Sequence, residues 1–393
     1  MEQTLTSAIR PAAPAASVRS RPRVVVIGSL TSSLVNFRYD LLRALSEKAE
    51  VLALAPEHDP ATQAALEEIG VRFRRIPMAR TGLNPVQDIV TLAAIWKELR
   101  RFRPDAVLPY TMKPIIYGCL AARLAGVKDR VALCTGLGYV FIDSDQGPRR
   151  RAIRAISAAL YRVALKGAKE VVVYNDGDGR EFRDYRLMDP ETPLGMVPGS
   201  GINLDRFPVS DPPPGPPVFL MVARLMRDKG VRDYVEAARL LRRTHPDIRC
   251  QLLGPRDANP SSVSEEELAA WQEEGVIEYL GETRDVRPFL RAASVFVLPS
   301  YREGISRSVL EAMSTGRAIV TTDAPGCAEP VTEGVTGHVV PIRNPEALSR
   351  AMARFVETPS LVQSMGRASR REAEKRFDVK VVNALLLSKL GLT

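Results

Sequence analysis

The residues best equipped for chemistry fall in two short stretches of the second half of the chain. In Ala223-Arg224-Leu-Met-Arg-Asp-Lys229-Gly230 two cations stand five residues apart, just past an apolar run. A guanidinium forks across two phosphate oxygens and an ammonium adds a compact point charge, so the pair suits a diphosphate. Taken alone, the stretch reads equally well as charged surface loop. The second stretch is Ser300-Tyr-Arg-Glu303-Gly304-Ile305-Ser306-Arg307-Ser308-Val-Leu-Glu311. Gly304 lets backbone approach a ligand closely, and Ser306 can cap a following helix. The free N–H groups of such a helix start, near Ser306 and Arg307, suit phosphate. Glu303 belongs to the loop, while Glu311 lies in the helix, where its carboxylate can accept bonds from ribose hydroxyls. Glu311 by itself is an ordinary helical carboxylate; the combination is the signal.

Both stretches must be held at strand ends, and the hydrophobic pattern supplies the strands. Arg23-Val-Val-Val-Ile-Gly28 reads as a buried parallel strand. Strand-like runs recur at 51–55, 71–76, 106–109, 131–135 and 171–174, with helical spacing between them, as at 36–45, 88–101 and 149–166. Pro208-Val-Ser-Asp-Pro-Pro-Pro-Gly-Pro-Pro217 can be neither helix nor central strand and reads as a linker. The alternation then restarts at 218–222, 249–253, 277–279, 295–299 and 318–322, with helices from about Val231 and Ser306. The expected fold class is therefore α/β: two Rossmann-like domains facing across a cleft, with ligands at the carboxyl ends of the strands. The expected boundaries are a disordered leader 1–22, an N-terminal domain 23–207, the linker 208–217 and a C-terminal domain 218–375. A C-terminal helix, 376–393, is expected to pack back on the first domain.

Length and composition agree with two ordinary globular domains: 393 residues, 45% apolar and 26% charged. Cys119, Cys134, Cys250 and Cys327 form no CxxC pair, which fits reduced thiols in a cytoplasmic setting. No run approaches the roughly 20 apolar residues of a spanning helix. The net charge is +9 and uneven: residues 1–200 hold 29 Lys and Arg against 21 Asp and Glu, and the rest 26 against 25. The excess in the first half is either a solvated basic face or a surface for anionic lipid or a diphosphate-bearing substrate. Nucleic acid is disfavoured by 6% aromatic content and the lack of a recognised binding motif.

Glu303-Gly-Ile-Ser-Arg-Ser-Val-Leu-Glu311 resembles the E-x7-E motif of family 4 retaining glycosyltransferases, and Arg224 and Lys229 resemble that family's donor-phosphate pair. Gly199-Ser-Gly-Ile-Asn203 and the segment Val320 to Glu329 resemble its flanking motifs, in the same order. The resemblance implies the GT-B fold, a nucleotide-diphosphate sugar as donor, no cofactor and no required metal. It also implies Glu303, Arg224 and Lys229 at the reacting centre, with Glu311, Gly304, Ile305, Ser306, Arg307, Gly254 and Arg284 around the donor. Asn36-Phe-Arg38, Gly82-Leu-Asn-Pro85, Thr135-Gly-Leu-Gly-Tyr139 and Asp257-Ala-Asn-Pro-Ser261 are similar to bacterial enzymes that extend sugars on undecaprenyl diphosphate. That similarity implies a UDP-sugar donor, a polyprenyl-diphosphate-linked acceptor and a place on the inner face of the cell membrane. The acceptor side would comprise Gly28, Ser29, Asn36, Arg38, Arg80, Lys113, Gly136, Gly138 and Tyr139. Met112 stands where such enzymes often carry a histidine.

Two D-x-D strings, Asp143-Ser-Asp145 and Asp176-Gly-Asp178, match metal-dependent transferases of another fold, but both lie in the N-terminal half, far in sequence from the expected donor loops. After Gly28 comes Ser-Leu-Thr-Ser-Ser rather than a G-x-G-x-x-G fingerprint, so hydride chemistry is poorly supported. The same residues also admit a non-hydrolysing nucleotide-sugar epimerase or a non-catalytic nucleotide-sugar binding protein as alternatives.

Overall fold

The computed structural model describes residues 21–79, 82, 84–137, 141, 147–257 and 262–392. Arg80, Gly138, Tyr139, the pair Asp143 and Asp145, and 258–261 lie outside the described residues.

Strands β1 (Arg23–Ile27), β2 (Glu50–Ala55), β3 (Arg72–Arg75), β4 (Ala106–Pro109), β5 (Asp129–Leu133), β6 (Glu170–Val173) and β7 (Leu194–Met196) form a seven-stranded sheet in the order 3-2-1-4-5-6-7. Every pairing in it is parallel. Strands β8 (Val218–Val222), β9 (Arg249–Leu253), β10 (Glu278–Tyr279), β11 (Val295–Leu298), β12 (Ala318–Thr322) and β13 (Gly337–Val340) form a second sheet, ordered 10-9-8-11-12-13 and also parallel. The central strands are apolar throughout because helices cover both faces. The protein is thus two parallel-sheet α/β domains, the GT-B architecture. Strand order reverses between β1 and β4 in the first sheet and between β8 and β11 in the second, and ligands bind outside such reversals.

The chain joins the second core at Ile202 and Phe207, before the proline-rich stretch. That stretch lies along the C-terminal domain: Arg317, fully buried, donates to the carbonyls of Ala293, Thr315, Ser210 and Asp211. The two chain crossings between domains are bonded to each other, Ile202 N–H to Phe377 O at 2.7 Å and Val379 N–H to Ile202 O at 2.9 Å. Helix Val379–Lys389 then packs Val382, Leu386 and Leu387 into the core beneath Val24 and Val26 of β1.

One local expectation changes. The helical spacing at 36–45 resolves into two helices, Ser32–Asn36 and Tyr39–Lys48. The break at Phe37–Arg38 turns Arg38 inward, where it donates to the Tyr174 hydroxyl and lies over the rings of Tyr110 and Tyr174.

Candidate active site

The strand reversal in the second sheet brings together the two loops that carry the candidate chemistry. The loop after β8 holds Arg224 and a 3-10 turn, Arg227–Lys229; the loop after β11 holds Glu303 and Gly304. Backbone bonds lock them: Tyr301 N–H and the Ser300 hydroxyl both donate to the carbonyl of Asp228, at 2.8 and 3.1 Å. Gly230 closes the turn at φ 71°, and a Cβ there would collide with the carbonyl of Pro299. The result is an ion pair between residues 74 apart in sequence: Lys229 Nζ lies 2.7 Å from Glu303 Oε1, each side chain 16% exposed. Burial opposes the lysine charge, but Glu303 outweighs it and holds the ammonium above the usual lysine range. Arg224 is more open, 49% exposed, with its guanidinium 3.0 Å from Asp257.

Beyond Glu303 the helix Arg307–Ser314 starts as its sequence suggests, with the Ser306 hydroxyl accepting from Val309 N–H at 3.4 Å. Arg307 and Glu311, one turn apart, pair at 3.0 Å. Burial raises the Glu311 carboxyl above its ordinary value, and Arg307 offsets only part of that. Ile305 packs against the cores of both domains. Gly254 joins three strand ends: its N–H donates to Gly281 O, its carbonyl accepts from the Tyr279 hydroxyl, and a Cβ would strike Ala223 O. Arg284 is exposed in the loop after β10.

The N-terminal domain faces these loops with its own strand reversal. Gly28 ends β1 so close to Tyr110 that a Cβ would meet the phenol oxygen. Ser29 and Thr111 share a 2.9 Å hydrogen bond, and Thr111 is held at φ 68°, a strained conformation for a β-branched residue. Gly136, at φ 124°, lies against Gly304, and a Cβ on Gly304 would collide with Thr135 O. Asn36 lies with Phe37 and Arg307 in a cavity of about 150 Å³ between the domains, and the Arg307 guanidinium sits 5.5 Å above the Phe37 ring. Arg38 and Lys113 are placed differently from open cleft residues: Arg38 is 4% exposed between its tyrosines, and Lys113 is buried 3.0 Å from Asp88.

Two contributors had no assigned role in the sequence. Arg302, the neighbour of Glu303, reaches across to helix Asp176–Asp184 and lies 2.6 Å from both Asp178 and Glu181. Asn175, the cap of that helix, donates to Gly304 O at 2.6 Å. The second D-x-D string therefore commits Asp178 to Arg302 and Asn175. The signal was an arginine adjoining Glu303, but its partners lie more than a hundred residues away.

Two α/β domains thus face each other at their strand reversals, and the loops and helix after β8 and β11 carry Arg224, Lys229, Glu303 and Glu311 on the C-terminal side. Residues 216–358 match the family model described as glycosyl transferases group 1, and residues 34–199 that of a glycosyl transferase 4-like domain. The chain belongs to this glycosyltransferase family. It is 30% identical over 374 residues to the N,N'-diacetylbacillosaminyl-diphospho-undecaprenol alpha-1,3-N-acetylgalactosaminyltransferase of Campylobacter jejuni, covering 92% of this chain and 96% of that one. It is 22% identical over 347 residues to the Escherichia coli UDP-Gal:alpha-D-GlcNAc-diphosphoundecaprenol alpha-1,3-galactosyltransferase, covering 85% and 87%. Among solved structures, Anabaena HepE in complex with UDP superposes with a TM-score of 0.75 at 16% identity, over 94% of this chain and 99% of that one.

Proposed function

We propose that this enzyme moves an N-acetylhexosamine or hexose from a UDP-sugar to a polyprenyl-diphosphate-linked saccharide, with retained anomeric configuration and no required metal. The observation that carries the reading is the convergence of Arg224, Lys229 and Glu303 at one strand reversal, with Gly304 of the same loop against Gly136 of the other domain. The full-length similarity to the diphospho-undecaprenol enzyme supports the acceptor class.

As the bond from C1 to the diphosphate breaks, negative charge grows on the departing oxygen and positive character on the sugar ring. Arg224, Lys229 and the N–H groups at the start of helix Arg307–Ser314 stabilise that oxygen where its charge develops. The acceptor hydroxyl forms its new bond to C1 on the same face and passes its proton to the leaving phosphate oxygen, so no protein base is needed. Glu303 holds hydroxyls of the transferred sugar, and Glu311 those of the ribose. The excess of cations in residues 1–200 supports work at the anionic inner face of the cell membrane.

The test is incubation with radiolabelled UDP-sugars and a polyprenyl-diphosphate-linked saccharide, in EDTA. We expect label in the lipid product with the donor's anomeric configuration. Loss of transfer in chelator, restored by Mn²⁺, would revive a metal-dependent mechanism; an epimerised nucleotide sugar without transfer would replace the reading altogether.

A further inference from the structure

Helices Pro85–Phe102, Cys119–Leu124 and Pro148–Leu165 cover one face of the first sheet. Ile95, Leu99, Cys119, Ala122, Tyr161 and Leu165 pack in a single core with Val25 and Ile27 of β1, so the outward sides of the three helices form one surface. Arg123 ties the middle helix to the third, donating to Val163 O at 2.9 Å. A solvated helix layer should turn polar residues outward. This one does not. Of the fourteen large apolar side chains exposed among the described residues, seven lie here. Four are on the first helix, including Ile89 at 65% and Trp96 at 42% exposure; Leu124 is at 63%, and Ile156 and Val163 are on the third helix. On the first helix the inner stripe of Ile95, Leu99 and Phe102 is apolar, and so is the outer stripe of Val86, Ile89, Val90 and Trp96.

The charge of the same layer is one-sided. The three helices carry nine Lys and Arg against two carboxylates, Asp88 and Glu98, and the third has five arginines with no Asp or Glu. Asp88 is buried and paired with Lys113. Exposed apolar side chains, among them an indole, with the exposed cations Lys97, Arg100 and Arg151 on the same helices, offer what an anionic bilayer binds: apolar groups for the acyl boundary and positive charge for the phosphates. No helix among the described residues is long and apolar enough to cross a membrane, so contact would lie in the plane of the surface.

We propose that this three-helix layer is the face with which the enzyme docks on an anionic lipid bilayer. The proposal rests on the reading that the acceptor is a polyprenyl-linked lipid, and the experiment separates the two. Wild type, Ile89→Ser/Trp96→Ser and Lys97→Gln/Arg100→Gln/Arg151→Gln are floated with phosphatidylcholine vesicles, with and without phosphatidylglycerol. Arg350→Gln/Arg367→Gln/Arg371→Gln, which removes as much charge from the other domain, is the control. Each is also assayed on a water-soluble short-prenyl diphosphate saccharide, which reports folding and catalysis without a membrane. We expect wild type and control to float with the anionic vesicles. The apolar and cationic variants should lose about tenfold or more of that binding, with turnover on the soluble acceptor kept. If the wild type floats and both variants float equally well, or if the wild type turns over soluble acceptor yet floats with neither vesicle, the docking face is wrong and the sugar-transfer reading stands. A solution dimer dissolved by Ile89→Ser/Trp96→Ser would overturn it in favour of a second copy of the chain. Failure of transfer to every prenyl-diphosphate acceptor would sink the functional reading instead, whatever the flotation result.

Discussion

Lys229 and Arg224 serve the same proposed leaving group from different surroundings, and substitution should separate them. Arg224→Ala and Lys229→Ala should each lower turnover by on the order of 10²-fold, because each removes a stabiliser of charge that develops in the transition state. Their stabilities should diverge. Arg224 is half exposed on a loop, so its loss should change unfolding free energy by less than about 0.5 kcal/mol. Lys229→Ala leaves the mostly buried Glu303 carboxylate without its partner and should cost about 1–3 kcal/mol. Thermal unfolding of both variants beside steady-state rates checks the pair; equal stability losses would contradict the geometry. Glu311 carries the pH prediction. Burial raises its carboxyl above the ordinary range, so on acidification it takes up a proton before exposed carboxylates do. In the proposed role the ionised form accepts the ribose bonds, so the donor KM should rise as pH falls through that raised value. Glu311→Gln should show a higher KM at neutral pH and a flat acid limb.

At the scale of elements, the contact between helix Asp176–Asp184 and the loop after β11 holds the cleft together. Arg302 joins that helix through two carboxylates, and Asn175 grips the carbonyl of Gly304, the residue after Glu303. A hydrogen bond to a charged group contributes about 1.5–3 kcal/mol. Glu181→Gln, which keeps size but removes the charge, should therefore reduce kcat/KM by about tenfold, mainly through donor KM. Arg302→Lys should show a similar loss although it keeps the charge, since an ammonium cannot fork to both acids. Scattering should show a more open average shape for Arg302→Met than for wild type; an unchanged profile with unchanged KM would remove the contact from the mechanism.

At the scale of the molecule, two chain crossings and a returning C-terminal helix join the domains. Val382, Leu386 and Leu387 belong to the first domain's core although they follow the second domain in sequence. Leu386→Ala should thus destabilise the fold by about 2–5 kcal/mol, and calorimetry should show the lowered transition in the N-terminal domain. If only the C-terminal domain's transition moved, the helix would not be doing what its packing indicates.

Much of this was legible along the chain because its causes are local. β-Branched runs alternating with helical spacing, a glycine-closed turn and a serine cap act within a few residues, so two parallel-sheet domains, the loops bearing Arg224, Lys229 and Glu303 and the helix bearing Glu311 could be read directly. Other features depend on what folding brings together. Strand order set the Lys229–Glu303 pair, and domain packing gave Arg302 its acids. Arg38, at the break in a helix that spacing alone had continued, turns inward to Tyr110 and Tyr174, which lie far from it in sequence. Periodicity also could not reveal the exposed apolar layer: where a helix carries apolar residues on two sides, only its packing against a sheet decides which side is left outside.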